Sequence, residues 1–356
     1  MTEYTTLGNL ISPAKVIRCG NGSYPVLSMT MHDGIVLQSD RFKKSLASAD
    51  QSDYKVVKYG QLVVGFPIDE GVLYIQKATD EGIMSPAYNV WDVDTLKVEA
   101  DYLELCLHSP QAMQYYCDKL RGSTARRRSI PTADLLALPI CLPTLEEQRE
   151  KLKMMAKMNA LIEDREQQLD LADQLVKSRF IELFGEINAP SKWEKKPWAE
   201  LVTIQNGRDY KHIAVESGGY AVYGTGGEMA RASDYLCPEN TIIVGRKGTI
   251  NNPLLVKEKF WNVDTAFGVI VGEQLHYQYF YGFCRMFDFS TLNKQAVLPS
   301  TTKADLLKIQ IAVPPIELQE QFAAFVEQVD KSKFEIQKSL DELEILKKSL
   351  MQQYFG

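Results

Sequence analysis

The residues best placed to do chemistry are basic. Arg121-Gly122-Ser123-Thr124-Ala125-Arg126-Arg127-Arg128-Ser129 gathers four arginines within eight positions. A guanidinium pairs bidentately with phosphate or with the major-groove edge of guanine, and the small residues let a backbone come close. The Ser123 and Thr124 hydroxyls add further hydrogen-bonding groups for phosphate oxygens. In a chain of net charge -6, three adjacent arginines at 126–128 point to an anionic partner more than to solubility. A second, looser set follows: Arg208, Lys211, Arg246-Lys247-Gly248-Thr249 and Lys294. Arginine suits base reading and lysine suits phosphate positioning. Double-stranded DNA is the ligand this pattern fits, and a solvated run of surface charge is the plain alternative. Tyr210, Tyr220 and Tyr223 could stack on sugar or base, or pack inside the domain.

Catalytic patterns are missing from the same residues. Gly224-Thr225-Gly226-Gly227 has no following Lys-Ser or Lys-Thr pair, so it reads as a turn and not as a phosphate-cradling loop. His32, His108, His212 and His276 are scattered, and the six cysteines include no C-x-x-C pair, which argues against a zinc cage or a disulfide framework. Asn252-Pro253-Leu254 lacks the second proline and the aromatic that an amino-methyltransferase needs. Glu258-Lys259 lacks the upstream acid of a carboxylate-metal nuclease. The expectation is a non-catalytic recognition protein with no cofactor and no metal.

These basic segments need elements to hold them, and an internal repeat supplies the frame. Residues 134–185 align without a gap on 305–356 at a constant offset of 171, with about 14 of 52 positions identical. In both copies a short apolar strand stops at a proline, Pro143 or Pro314. Acidic residues then open a helix where the macrodipole favours negative charge. The second helix carries Val326, Val329, Ile336, Leu340, Leu343 and Leu350 at alternating three- and four-residue spacing, with Lys333 and Lys347 in the gaps. The first carries a looser stripe of Met155, Met158, Ile162, Leu169, Ala172 and Val176, interrupted by Arg165. Each predicted helix runs for about 38 residues, nearly 57 Å, and must lie against something. Because the first leads into the second globular segment and the second leaves it, helices packed on one another run antiparallel.

The 356 residues suit two domains. The predicted division is a globular domain at 1–142, a spacer helix at 143–186, a second domain at 187–313 and a second helix at 314–356. The fold class is α/β (α+β), mainly β in the globular parts, with a pseudo-two-fold from the duplication. The two globular parts look alike only at their exits and entrances. A 45% hydrophobic share and a mean hydropathy of -0.21 are those of a soluble globular chain. No basic leader with an apolar stretch opens it, which predicts a cytoplasmic protein with no membrane partner.

With these features together, the chain resembles the specificity subunit of type I restriction-modification systems. The carrying residues are Leu142-Pro143-Thr144-Leu145-Glu146-Glu147-Gln148 and Val313-Pro314-Pro315-Ile316-Glu317-Leu318-Gln319, each opening a long helix. Tyr24-Pro25-Val26-Leu27-Ser28-Met29-Thr30, Ser85-Pro86-Ala87-Tyr88 and Gly245-Arg246-Lys247-Gly248 resemble target-recognition motifs. The resemblance implies two target-recognition domains reading the halves of a gapped DNA sequence, with the helices as a spacer. It also implies two modification subunits bringing S-adenosylmethionine and adenine methylation, and restriction subunits bringing ATP-driven cleavage. Arg165 and Arg179 fall in stripe positions, as if facing those partners. A reading from another class is a coiled-coil scaffold with two protein-binding domains. Salt-sensitive DNA affinity separates the two.

Overall fold

The structure, a computed structural model, describes residues 4–31, 33–41, 51–120, 128–292 and 300–355. It divides into two compact units, one of Met1–Arg165 with Ser339–Gly356 and one of Glu166–Lys338.

In the first unit Tyr4–Thr6 pairs antiparallel with Pro139–Cys141, so the globular part is entered and left side by side. Between them lies an antiparallel sheet in the order Ile11–Pro13, Asn89–Val93, Leu62–Val64, Leu73–Ile75. Of its two inner strands, Leu62–Val64 is apolar on both faces because both are covered. Helices Ala100–Leu107 and Pro110–Lys119 bury Tyr102, Leu103, Cys106, Leu107 and Tyr116 with Leu62, Ile75 and Trp91. Pro110 at the first helical position and the Ser109 hydroxyl, which accepts from the Ala112 N–H at 3.2 Å, start the second of these helices.

The second unit repeats this plan. Lys195–Pro197 pairs antiparallel with Gln310–Ala312, and the sheet runs Val202–Asn206, Ala266–Val271, Thr241–Gly245, Leu254–Val256. Helix Tyr277–Met286 covers it. Even an unusual parallel pairing recurs: Val26 beside Ile83 in the first unit, Val222 beside Trp261 in the second. The globular parts are therefore alike beyond their ends, contrary to the reading from sequence. Buried strand positions accept any β-branched or apolar residue that fits, so Leu62-Val63-Val64 and Ile242-Ile243-Val244 keep their place while identity drifts.

Leu145–Phe184 and Ile316–Phe355 are continuous 40-residue helices, about 60 Å each. Their partners alternate. In the first unit Met155, near the start of one helix, shares a core with Phe355 at the end of the other. In the second unit Phe180 and Phe184 close one helix against Phe322 and Val326 near the start of the other, with ring centroids of Phe180 and Phe322 5.5 Å apart. Start against end in both units makes the pairing antiparallel. The stripe residues Met155, Met158, Val326, Val329 and Leu340 are buried, whereas Leu161 and Leu175 beside the stripe are exposed. Arg165 donates to the Ser339 hydroxyl at 3.3 Å, and Arg179 lies over the Phe325 ring. Both stripe arginines thus face the paired helix, not outward as the resemblance suggested.

Two buried glutamines fasten each helix to its domain by one pattern. Gln148 accepts from the Glu99 N–H at 2.9 Å and donates to Lys97 O and Pro143 O. Gln319 accepts from the His276 N–H at 2.7 Å and donates to Gln274 O and Pro314 O. Glu99 and His276 are the N-caps of Ala100–Leu107 and Tyr277–Met286, so each amide satisfies an otherwise orphaned backbone donor. Tyr102 and Tyr279 add a matching bond, donating to Cys141 O and Ala312 O at 3.0 and 2.8 Å.

Candidate nucleic-acid interface

Three strands of the second unit's sheet bring basic residues to one rim. Strand Val202–Asn206 ends beside the beginning of Ala266–Val271, since Asn206 pairs with Phe267. Strand Thr241–Gly245 ends there too, since Gly245 pairs with Ala266. Arg208 follows the first of these ends and Arg246 the second, so the two flank the turn from Asn262 to Ala266. The Arg208 N–H donates to Asn262 O at 2.9 Å, and the Arg246 N–H to Thr265 O at 2.9 Å.

Glycine permits both approaches. A Cβ on Gly207 would stand 1.9 Å from Val263 O, and one on Gly245 would stand 2.3 Å from Thr249 O. Gly248, at φ +79°, turns the chain back behind Arg246 and Lys247. Thr301, buried, ties this turn down by donating its hydroxyl to Gly245 O at 2.6 Å and its N–H to Arg246 O at 3.0 Å. Asn262, also fully buried, donates to Ala266 O at 3.1 Å and lies 3.3 Å from the Cys237 thiol, which donates to its carbonyl. The rim is therefore braced from beneath by polar groups that are themselves satisfied.

Arg208, Lys211, Arg246, Lys247 and Thr249 are all exposed. Among the described residues, none of the four cations has a carboxylate within salt-bridge distance. Other cations of the unit do: Arg231 pairs with Glu228, Lys257 with Asp330, and Lys333 and Arg285 with Asp173. Arg246 instead donates to Asp264 O at 3.3 Å and lies over the Phe267 ring. Uncommitted guanidinium and ammonium groups on a braced rim suit an external anion.

The other expected residues fall differently. Arg121, Ser123, Thr124, Arg126, Arg127 and Lys294 lie outside the described residues. Arg128 departs from the expectation of a free cation: its Nε sits 2.7 Å from Asp69 Oδ2, its Nη2 meets Glu70, and its carbonyl accepts from the Ile68 N–H. Its charge is spent within the first unit. The tyrosines are half-buried and pack on other side chains, Tyr210 beside Trp261 and Val222, Tyr220 on Tyr235, and Tyr223 edge-on to Phe260. Sequence reasoning missed Asn262 and Thr301. A usable signal was the repeated Gly-Arg pair, Gly207-Arg208 and Gly245-Arg246, in which Gly207 lies close against the Val263 carbonyl and Gly245 against the Thr249 carbonyl. Among the described residues no cluster of His, Cys, Asp or Glu could hold a metal ion, and no helix is long and apolar enough to cross a membrane.

Residues 190–345 match the family model of the type I restriction modification DNA specificity domain. The exposed basic rim and its four uncommitted cations fall within the matched residues. No curated protein matches the chain. Among solved structures, the fold is similar to a chain from a study of complex assembly and conformational transition of the type I R-M system, with a TM-score of 0.67 and 16% identity over 99% of this chain and 97% of that one. It is also similar to the type I restriction-modification S subunit from M. genitalium, with a TM-score of 0.57 and 14% identity over 100% of this chain and 96% of that one. At these identities the likeness is one of fold, and it extends along the whole chain, beyond the residues that match the specificity-domain family.

Proposed function

We propose that the chain is the DNA sequence-specificity subunit of a type I restriction-modification complex. Each globular part reads one half of a bipartite, gapped duplex target, while the paired helices set the spacing and dock two modification subunits. Adenine methylation, with its S-adenosylmethionine, belongs to those partners, and ATP-driven cleavage belongs to restriction subunits that join them. The observation that carries this reading is the rim of Arg208, Lys211, Arg246 and Lys247, without carboxylate partners among the described residues, on a domain of the DNA specificity family. Arg246 and Arg208 are suited to base edges and Lys211, Lys247 and the Thr249 hydroxyl to phosphates. Lys294 and the run of Arg121, Ser123, Thr124, Arg126 and Arg127 add backbone contacts, with Arg128 anchoring that run through Asp69 and Glu70.

The test is co-expression with modification subunits followed by base-modification mapping of host DNA. Methylated adenines in one gapped motif, lost on deletion of this chain, are the expected result. Unchanged methylation in an expressed, assembled complex would return the scaffold reading.

A further inference from the structure

The sheet register allows the basic rim of the second unit to be carried onto the first, and the residues found there have different chemistry. Leu62, Val63 and Val64 take the places of Ile242, Ile243 and Val244, each at the centre of its sheet and each followed by glycine, Gly65 or Gly245. Phe66 therefore stands where Arg246 stands. On the neighbouring edge, Pro13 faces Trp91 as Ile204 faces Val269, and the Ala14 N–H donates to Val90 O as the strand continues. Four residues beyond Ile204 is Arg208, and four beyond Pro13 is Ile17. Phe66 by register and Ile17 by its count along the chain thus put apolar residues at the positions of the two rim arginines.

A run of contacts leads from Ile17 to the half-buried Phe66. The Val56 N–H donates to Ile17 O at 2.8 Å, Lys55 donates to Tyr88 O at 2.5 Å, and Tyr88 meets Phe66 edge to face at 5.3 Å. Val16 and Ile17 are exposed at 59% and 39%, two apolar side chains adjacent in sequence at the surface. Arg18 is paired with Asp53 and Lys55 donates to the Tyr88 carbonyl, while Lys15, two residues before Ile17, is exposed. The first unit's rim presents methyl and ring surface where the second presents charge.

Resting on the DNA-reading function above, we propose that Ile17 and Phe66 are specificity-determining residues of the first unit and contact the 5-methyl groups of thymine in its half of the target. Apolar side chains distinguish bases in the major groove mainly by that methyl, as arginine does by the guanine edge. The two halves of the target would then differ in chemistry, with thymine read by the first unit and guanine by the second.

The experiment uses the full chain assembled with its modification subunits and duplexes of the mapped methylation motif. Uracil replaces thymine in one half-site at a time, which deletes only the methyl. Expected is a loss of binding of roughly fourfold per methyl contacted, confined to the half read by the first unit. In the Ile17→Ala, Phe66→Ala double variant that thymine-over-uracil preference disappears, while the base preference in the other half stays as it was. Ile17→Ala alone, an exposed position, serves if the double variant does not fold, and it should lose part of the preference. Equal binding of thymine and uracil duplexes in both halves, or a preference that survives Ile17→Ala and the double variant alike, overturns the proposal. Absence of any sequence-dependent DNA binding would instead overturn the function on which it rests.

Discussion

Arg246 and Lys247 are separable from the fold because their side chains do little for the domain beyond one carbonyl contact and one ring contact. Replacing both with alanine should weaken DNA binding, relax the base preference that Arg246 supplies, and flatten the salt dependence by about 0.9, the contribution of the one phosphate that Lys247 neutralises to the slope of log K against log salt. Fluorescence anisotropy across a salt series reads this directly. A drop in affinity with an unchanged slope would remove Lys247 from phosphate contact. These residues were legible in the sequence as a basic turn after a strand. What supports them was not, because Asn262 and Thr301 are ordinary polar residues until the fold buries them under the rim. Arg128 illustrates the converse: it looked like its neighbours in the run, and only the placement of Asp69 and Glu70 distinguishes it.

At the scale of elements, the two long helices were visible from their apolar stripes and acidic starts, and their antiparallel run followed from connectivity. The attachment of helix to domain was hidden. Gln148 and Gln319 stood out as a repeated pair, but a glutamine near a helix start has no intrinsic reason to be buried; the N-caps Glu99 and His276, distant in sequence, supply it. Gln319→Leu keeps the volume and strands the His276 N–H and two carbonyls without partners. A cost on the order of 2 kcal/mol follows, which corresponds to roughly 5 °C in the unfolding midpoint of a unit of this size. Calorimetry showing an unshifted transition would mean that water or another group takes over those bonds. The common strand order of the two units was also beyond sequence comparison, because buried strands constrain size and shape more than identity.

For the whole molecule, the proposed spacer role makes a geometric prediction. One heptad added to both helices, after Arg165 and after Lys338 where the units divide, lengthens each by about 10 Å and shifts the preferred gap in the target by up to about three base pairs. Modification mapping of cells carrying the lengthened chain gives the answer, and an unaltered gap would mean that something other than the helices measures the DNA.

Phe355 packs on Tyr102, with ring centroids 5.2 Å apart, in the core of the first unit. Residues 339–355 leave the ribosome after every other part of either unit. The domain translated first is consequently the last that can close, and it waits with Tyr102 uncovered while Glu166–Lys338 is already complete. Removing residues 339–355 would spare the second unit and leave the first unfinished, so that, on the proposed function, one half of the target would go unrecognised while the other stayed readable.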